Sequence, residues 1–324
     1  MCTAVAYNSK SFYFGRTLDF EFLYPCQAVF APREYSFDFR FCGKNTSHYA
    51  MLGMAYVMND YPLYFDGTNE YGLSMAGLNF PENAHYNRVC QGKENIAPFE
   101  FIPWVLSQCR DVSDVKALLE NINIANINFS EELPNSPLHW LISDKEKSLT
   151  AEAVKDGLKI YDNPAGVLTN NPPFDYHMTN LNNYMNISAK TPVNRFSEKL
   201  NLSPYSLGMG AIGLPGDLSS ASRFVRAAFS KLNSVIPADG NESISQFFHI
   251  LASVIQQKGC THVDGNRYEY TQYSSCCDTD KGIYYYKTYY NSQISAVDMN
   301  KENLNADRLI TYNMINSQQI KYQN

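Results

Sequence analysis

The sequence predicts a single α+β domain in four layers, with sheets inside and helices outside. Three observations lead there. Short apolar runs separated by polar turns recur along most of the chain, and two pairs of amphipathic stretches interrupt them. The order is therefore strands, two helices, strands, two helices, strands. Tyrosine is abundant, with 24 residues against 2 Trp, and it favours strands and amphipathic pocket walls. Finally, no Gly/Ser-rich linker and no internal repeat divides the 324 residues, which are enough to bury a substantial core.

The elements follow in order. Thr3–Tyr7 and Phe12–Asp19 flank the polar turn Asn8-Ser9-Lys10-Ser11 and read as a hairpin. Gln27–Phe30, Tyr35–Phe41, Ala50–Met58, Tyr64–Asp66 and Gly72–Leu78 read as strands, with turns at Asn59-Asp60, Asp66-Gly67 and Asn69-Glu70. A helix is expected from about Pro98 to Cys109, with proline in its first turn. A second starts at Ser113 as N-cap and lines up Val115, Leu118, Leu119 and Ile122. Strands return at Leu138–Ser143, Leu149–Val154 and Leu158–Tyr161. Ser219–Leu232 and Ser243–Gln257 carry apolar stripes at helical spacing. Glu269–Thr271, Gly282–Tyr290 and Asp307–Asn313 close the chain as strands.

Composition narrows the function. Hydrophobic residues at 44% and charged residues at 18% describe a folded protein. A net charge of −6 without a basic cluster argues against nucleic acid or an anionic membrane as partner. It leaves a small-molecule substrate, an anionic one included. No apolar run has the length of a membrane span, and the first residues lack a signal-peptide layout, so a cytoplasmic protein is expected. The eight cysteines form no C-x-x-C pair and have no histidine at zinc spacing. Reduced thiols and no zinc site are the expectation.

The chain opens MCTAVAYNSKSFYFGRTLDFEF, with a cysteine directly behind the first methionine. If Met1 is removed, leaving residues 2–324, Cys2 carries both a thiol and a free α-amine. An α-amine titrates near ~7.7–8.0 and a thiol near ~8.5, so one residue can supply nucleophile and base. Arg16 and Asp19 lie on the second hairpin arm, which folds back beside Cys2. A guanidinium there favours thiolate and a carboxylate can orient the amine. The competing reading is an ordinary surface ion pair worth little.

Beyond the opening, six stretches occur in order: MCTAV, YFGRTLDFEF, YGLSMAGLNFP, SPLHWLISDKEKSLTAEAV, GVLTNNPPFDYHMTNL and GAIGLPGDLSSASRFVRAAF. Together they resemble the choloylglycine hydrolase family of bile salt hydrolases and penicillin V acylases. The resemblance implies an αββα N-terminal nucleophile hydrolase fold of two antiparallel sheets between helix layers, and amide hydrolysis without metal or cofactor. It implies Cys2 as nucleophile, Arg16 and Asp19 as its supports, and Asn170 as oxyanion donor, preferred over Asn171. Asn79 matches a second oxyanion position, and Arg223, rather than Arg226, matches the family's active-site arginine.

The asparagine at position 79 resembles the bile salt hydrolases more than the penicillin V acylases. A conjugated bile salt, carrying glycine or taurine, is thus the implied substrate, with penicillin V as the alternative. An inactive relative that binds amphipathic ligands is the reading from a different class. Leu18 matches a substrate contact, and the segments Phe22–Cys26, Leu63–Phe65 and Ile127–Asn135 are expected as further pocket walls. A homotetramer is implied as well. His139 and His177 fall inside matched stretches but receive no task.

Overall fold

A computed structural model describes residues 1–324. The predicted opening hairpin pairs β1 (Cys2–Asn8) with β2 (Phe12–Phe20), in a register that sets Cys2 against Leu18 and Ala4 against Arg16. Next come β3 (Gln27–Ala31), β4 (Met51–Met58), β5 (Tyr61–Asn69) and β6 (Ser74–Asn79). Between the helix pairs lie β7 (Leu138–Ser143), β8 (Ser148–Val154), β9 (Gly157–Asp162) and β10 (Val167–Leu168). The chain closes with β11 (Tyr270–Asp278), β12 (Ile283–Thr288), β13 (Asn291–Asp298) and β14 (Ile310–Asn313).

Two large antiparallel sheets result. One has six strands in the order β10-β1-β2-β11-β12-β13, and the other eight in the order β9-β8-β7-β6-β5-β4-β3-β14. The alternation of side chains along a strand explains the layering. From the second sheet, Ala28, Phe30, Leu52, Ala76, Leu78 and Leu141 meet Phe14 and Leu18 of the first. Their neighbours Val29, Met51, Met75, Trp140 and Ile142 point the other way, onto α1 (Phe101–Leu106) and α2 (Val112–Leu118). The helix α3 (Phe174–Asn180) follows β10. Beyond it, α4 (Ser220–Asn233) and α5 (Gly240–Ala252) cover the outer face of the first sheet. The architecture is the four-layer αββα sandwich. No helix is long and apolar enough to cross a membrane.

Several local expectations change. Tyr35–Phe41 yields only the three-residue strand Phe37–Phe39, paired with Gly43–Asn45 outside the large sheets. Asp66-Gly67 is not a turn but lies inside β5, paired with Met54 and Gly53 beside a register shift that leaves Phe65 without a partner. Asn59-Asp60 does turn, with φ of 52° and 59°, the positive values of a tight two-residue hairpin. The N-cap of α2 is Asp111, whose carboxylate accepts from the Ser113 and Asp114 amides. For α5 it is Asp239, so Ser243 lies inside the helix, and the helix ends at Ala252 rather than Gln257. Ser219, expected as the first helical residue, is instead the N-cap of α4, its side chain accepting from the Ser222 amide.

Gly15 shows how tightly β2 and β11 approach. A Cβ there would fall 2.0 Å from the Ser275 carbonyl oxygen. Gly15→Ala should therefore destabilise the fold by about 1–3 kcal/mol, measured by urea unfolding, because backbone rather than a flexible side chain must yield.

Candidate active site

Cys2 stands at the end of β1, where the two sheets open on a cavity. Its lining includes Cys2, Arg16, Leu18, Asp19 and Asn79. Apolar walls come from Phe20 and Tyr24, from Leu63 and Phe65, and from Phe129 and Leu133, so the three expected wall segments all contribute. Leu63–Phe65 does so as part of β5. Pro98, Phe99 and Ile102 add a wall that sequence reasoning missed, because a helix start carries no pocket signal.

Arg16 and Asp19 are not a surface ion pair. Both are fully buried and they turn to opposite faces of β2. Arg16 crosses towards the second sheet, donating Nη1 to the carbonyls of Phe65 (2.9 Å) and Gly77 (2.5 Å). Its Nη2 has no partner. Behind it, Asp66 accepts from Tyr273 Oη at 2.7 Å and Tyr284 Oη at 2.6 Å. Burial disfavours the Arg16 charge, but Cys2, Tyr273, Asp66 and Asp19 around it hold its pKa above the ordinary value. This buried Asp66 group was invisible in the sequence, where Asp66-Gly67 mimicked a turn.

Asp19 accepts from Thr271 Oγ1 at 2.6 Å and Thr17 Oγ1 at 3.3 Å. Its backbone N–H donates to the Met1 carbonyl, and the Met1 nitrogen donates to the Asp19 carbonyl, each at 2.9 Å. Met1 also pairs with Glu269.

Asn170 and Arg223 reach Cys2 from other elements. The Cys2 N–H donates to Asn170 Oδ1 at 2.7 Å, and Arg223 Nη2 donates to the same oxygen at 2.8 Å. Two donors on one oxygen fix the carboxamide orientation, which leaves Nδ2 to donate to the Asn79 carbonyl at 2.6 Å. Arg223 Nη1 also reaches the Cys2 carbonyl (2.5 Å) and Thr3 Oγ1 (2.8 Å). Burial lowers its pKa, opposed by Asp19 and Cys2. The rival residues sit elsewhere. Asn171 donates to the Pro81 carbonyl, and Arg226 donates to the carbonyls of Ser253, Pro215 and Asp217.

The other five expected residues thus gather around Cys2: Arg16, Asp19 and Asn79 line the cavity with it, and Asn170 and Arg223 hold its main chain. Such a cluster can stabilise a thiolate, hold a neighbouring amine and present amide donors to a developing oxyanion.

The two unassigned histidines lie just behind. His177 Nε2 contacts the Asn170 carbonyl at 2.9 Å, and His139 Nε2 contacts the Thr169 carbonyl at 2.8 Å. Burial depresses His177 to about 4, with smaller contributions from His139 and Arg223. A histidine with a lower pKa in the native than in the unfolded state stays uncharged when folded. Its contribution to stability is complete above about pH 6.5 and is lost as pH falls towards about 4. Acidification across that window should cost roughly 3 kcal/mol through this group. His177→Gln should flatten that part of the stability–pH curve, as followed by denaturant midpoints.

Comparison with known proteins gives the family and the fold. Residues 2–312 match the family model described as linear amide C–N hydrolases, choloylglycine hydrolase family. A bile salt hydrolase/transferase of Lactiplantibacillus plantarum is 56% identical over 312 residues, covering 96% of each chain. One from Clostridium perfringens is 42% identical over 320 residues, again covering 96% of each. Among solved structures, a C2A mutant of conjugated bile acid hydrolase from Clostridium perfringens superposes with a TM-score of 0.93 at 40% identity over the whole of both chains. Penicillin V acylase from Agrobacterium tumefaciens shares the fold at a TM-score of 0.77, with 20% identity over 96% of this chain and 90% of that one. With a cysteine set among buried guanidinium and carboxamide groups, and with this agreement along its length, the chain belongs to the choloylglycine hydrolase family of linear amide C–N hydrolases.

Proposed function

We propose that this enzyme cleaves the amide bond of glycine- or taurine-conjugated bile salts through a thioester on Cys2. One observation carries the reading. Cys2 sits where a largely apolar, aromatic-walled cavity meets the polar cluster of Arg16, Asn79, Asn170 and Arg223. An amphipathic substrate with an apolar body and a polar amide tail fits that division, with Leu18, paired directly against Cys2, beneath the body.

In the proposed cycle Met1 is removed, and the freed Cys2 amine keeps its hydrogen bond to Asn170 Oδ1 while taking the thiol proton. Arg16 favours the thiolate, and Asp19 orients the amine. The sulfur attacks the amide carbon, Asn170 Nδ2 and Asn79 stabilise the oxyanion, and the amine passes its proton to the leaving glycine or taurine. Water then hydrolyses the thioester. Arg223 holds Asn170 and the Cys2 carbonyl. No step calls for a metal or an organic cofactor. Mass spectrometry of the purified enzyme should show a chain starting at Cys2. Incubation with glycocholate, taurocholate and penicillin V, with the released amine measured, tests the substrate class. Release from penicillin V alone would replace this reading with the acylase one, and no release from any would favour the ligand-binding relative.

Asn79 is proposed to set that choice, since its half-buried side chain faces the cavity beside Leu138. Asn79→Tyr should shift the ratio of bile salt to penicillin V turnover towards penicillin V by roughly 10-fold, an ordinary pocket discrimination. An unchanged ratio would remove Asn79 from substrate selection.

A cytoplasmic homotetramer completes the proposal. Its support is eight unbridged cysteines and the exposed apolar side chains Met185, Phe196, Tyr205, Leu207 and Ile212 on one irregular segment. Light scattering at working concentration tests the assembly.

A further inference from the structure

We propose that His139, His177 and Ser220 are positioning residues for the Asn170 side chain, acting through the main chain of Thr169 and Asn170. The inference rests on the proposed oxyanion role of Asn170. None of the three lines the cavity.

The need for them follows from the sheet. The strand β10 is two residues long, and its ladder to β1 ends at Leu168. Asn170 lies two residues past the last rung, so the sheet does not fix the backbone from which its carboxamide projects. Side chains take over. Ser220 Oγ accepts from the Asn170 N–H at 2.7 Å and donates to Thr169 Oγ1 at 2.9 Å, while Thr169 Oγ1 donates to the Ser220 carbonyl at 3.1 Å. His177 holds the Asn170 carbonyl and His139 the Thr169 carbonyl. A carbonyl can only accept, so each imidazole carries a hydrogen on Nε2. The other nitrogen of His139 contacts Glu152 Oε1 at 3.0 Å, and that oxygen also accepts from the Phe174 N–H.

The imidazole planes are fixed too, and by neighbours of the reacting groups. His139 stacks on Phe80, with centroids 4.2 Å apart and planes 7° apart, and Phe80 follows Asn79. His177 stacks on Phe224 at 4.8 Å and 13°, and Phe224 follows Arg223. The same two rings therefore tie the Asn170 backbone to both of the side chain's far partners. This arrangement holds the Asn170 amide where the oxyanion forms.

The test separates position from stability. His177→Phe keeps a ring to stack on Phe224 but deletes the donor, His177→Gln returns an N–H, and Ser220→Ala removes the acceptor of the Asn170 amide. Turnover should fall about 10- to 100-fold in His177→Phe and Ser220→Ala with KM within about twofold, and His177→Gln should recover most of it. Inactivation by iodoacetamide should proceed at the wild-type rate in all three, because displacement of iodide by sulfur forms no oxyanion. Undiminished turnover in His177→Phe and Ser220→Ala overturns the proposal. So does a parallel fall in turnover and inactivation rate, or a Gln variant no better than Phe. If His177→Phe does not accumulate folded, Ser220→Ala carries the comparison alone. Asn170→Ala is the control. If it retains turnover, the oxyanion reading itself fails. If it loses turnover while the other variants keep theirs, only the positioning role fails.

Discussion

Cys2→Ser should reduce hydrolysis by on the order of 10³-fold or more, a barrier increase of about 4 kcal/mol, while the protein still folds. The reason is the match between acid and base. An α-amine and a thiol titrate within about one pH unit of each other, so proton transfer between them is close to balanced, whereas a hydroxyl gives up its proton far less readily to so weak a base. The change is small in volume and the side chain faces the cavity, so unfolding midpoints should stay within about 1 kcal/mol of wild type. Released glycine or taurine from a conjugated bile salt is the measurement. Wild-type release from the serine variant would end the N-terminal mechanism.

Asn170→Ala should cost about 10²–10³ in turnover, the usual effect of deleting one oxyanion donor. It should differ from Cys2→Ser in a second respect. Asn170 Oδ1 is the shared acceptor of the Cys2 N–H and Arg223 Nη2. Its removal strands two buried donors, one of them charged, and should lower stability by about 1–3 kcal/mol. Turnover and denaturant midpoint therefore have to be measured together. A loss of stability with intact turnover would leave Asn170 a scaffold residue.

How much of this was legible in the sequence differs by element. The opening hairpin was readable because its apolar residues are local and its turn is polar, and its register alone brings Arg16 and Leu18 beside Cys2. The start of α4 was readable to within one residue because Ser219 opens an amphipathic run. In contrast, β11 was seen only as far as Thr271. Its sequence YTQYSSCCD is buried throughout between β2 and β12, with helix α5 against it, so it shows no polar face to alternate with an apolar one. The edge strand β13 was missed for the opposite reason, since much of it is polar or half-exposed.

The site divides in the same way. Cys2, Arg16 and Asp19 could be associated from chemistry and hairpin geometry. Asn79, Asn170 and Arg223 could be associated only through family resemblance, because Asn170 and Asn79 are 91 residues apart and Arg223 lies 221 from Cys2. No periodicity spans such distances. His139 and His177 take no task from the sequence, since their partners are main-chain carbonyls, which have no signature in sequence.

The free cysteines bear on how the enzyme keeps on the shelf. Burial holds Cys276 and Cys277 protonated, with Cys277, Cys26 and Cys109 each pushed to about 12, so these four are poor targets for oxidants. Cys42, Cys90 and Cys260 are exposed. Storage in air should therefore age the protein along two independent routes: chains joining covalently through their surfaces, visible as a ladder on a non-reducing gel, and silent loss of function at residue 2. A preparation can run as one clean band and still be spent.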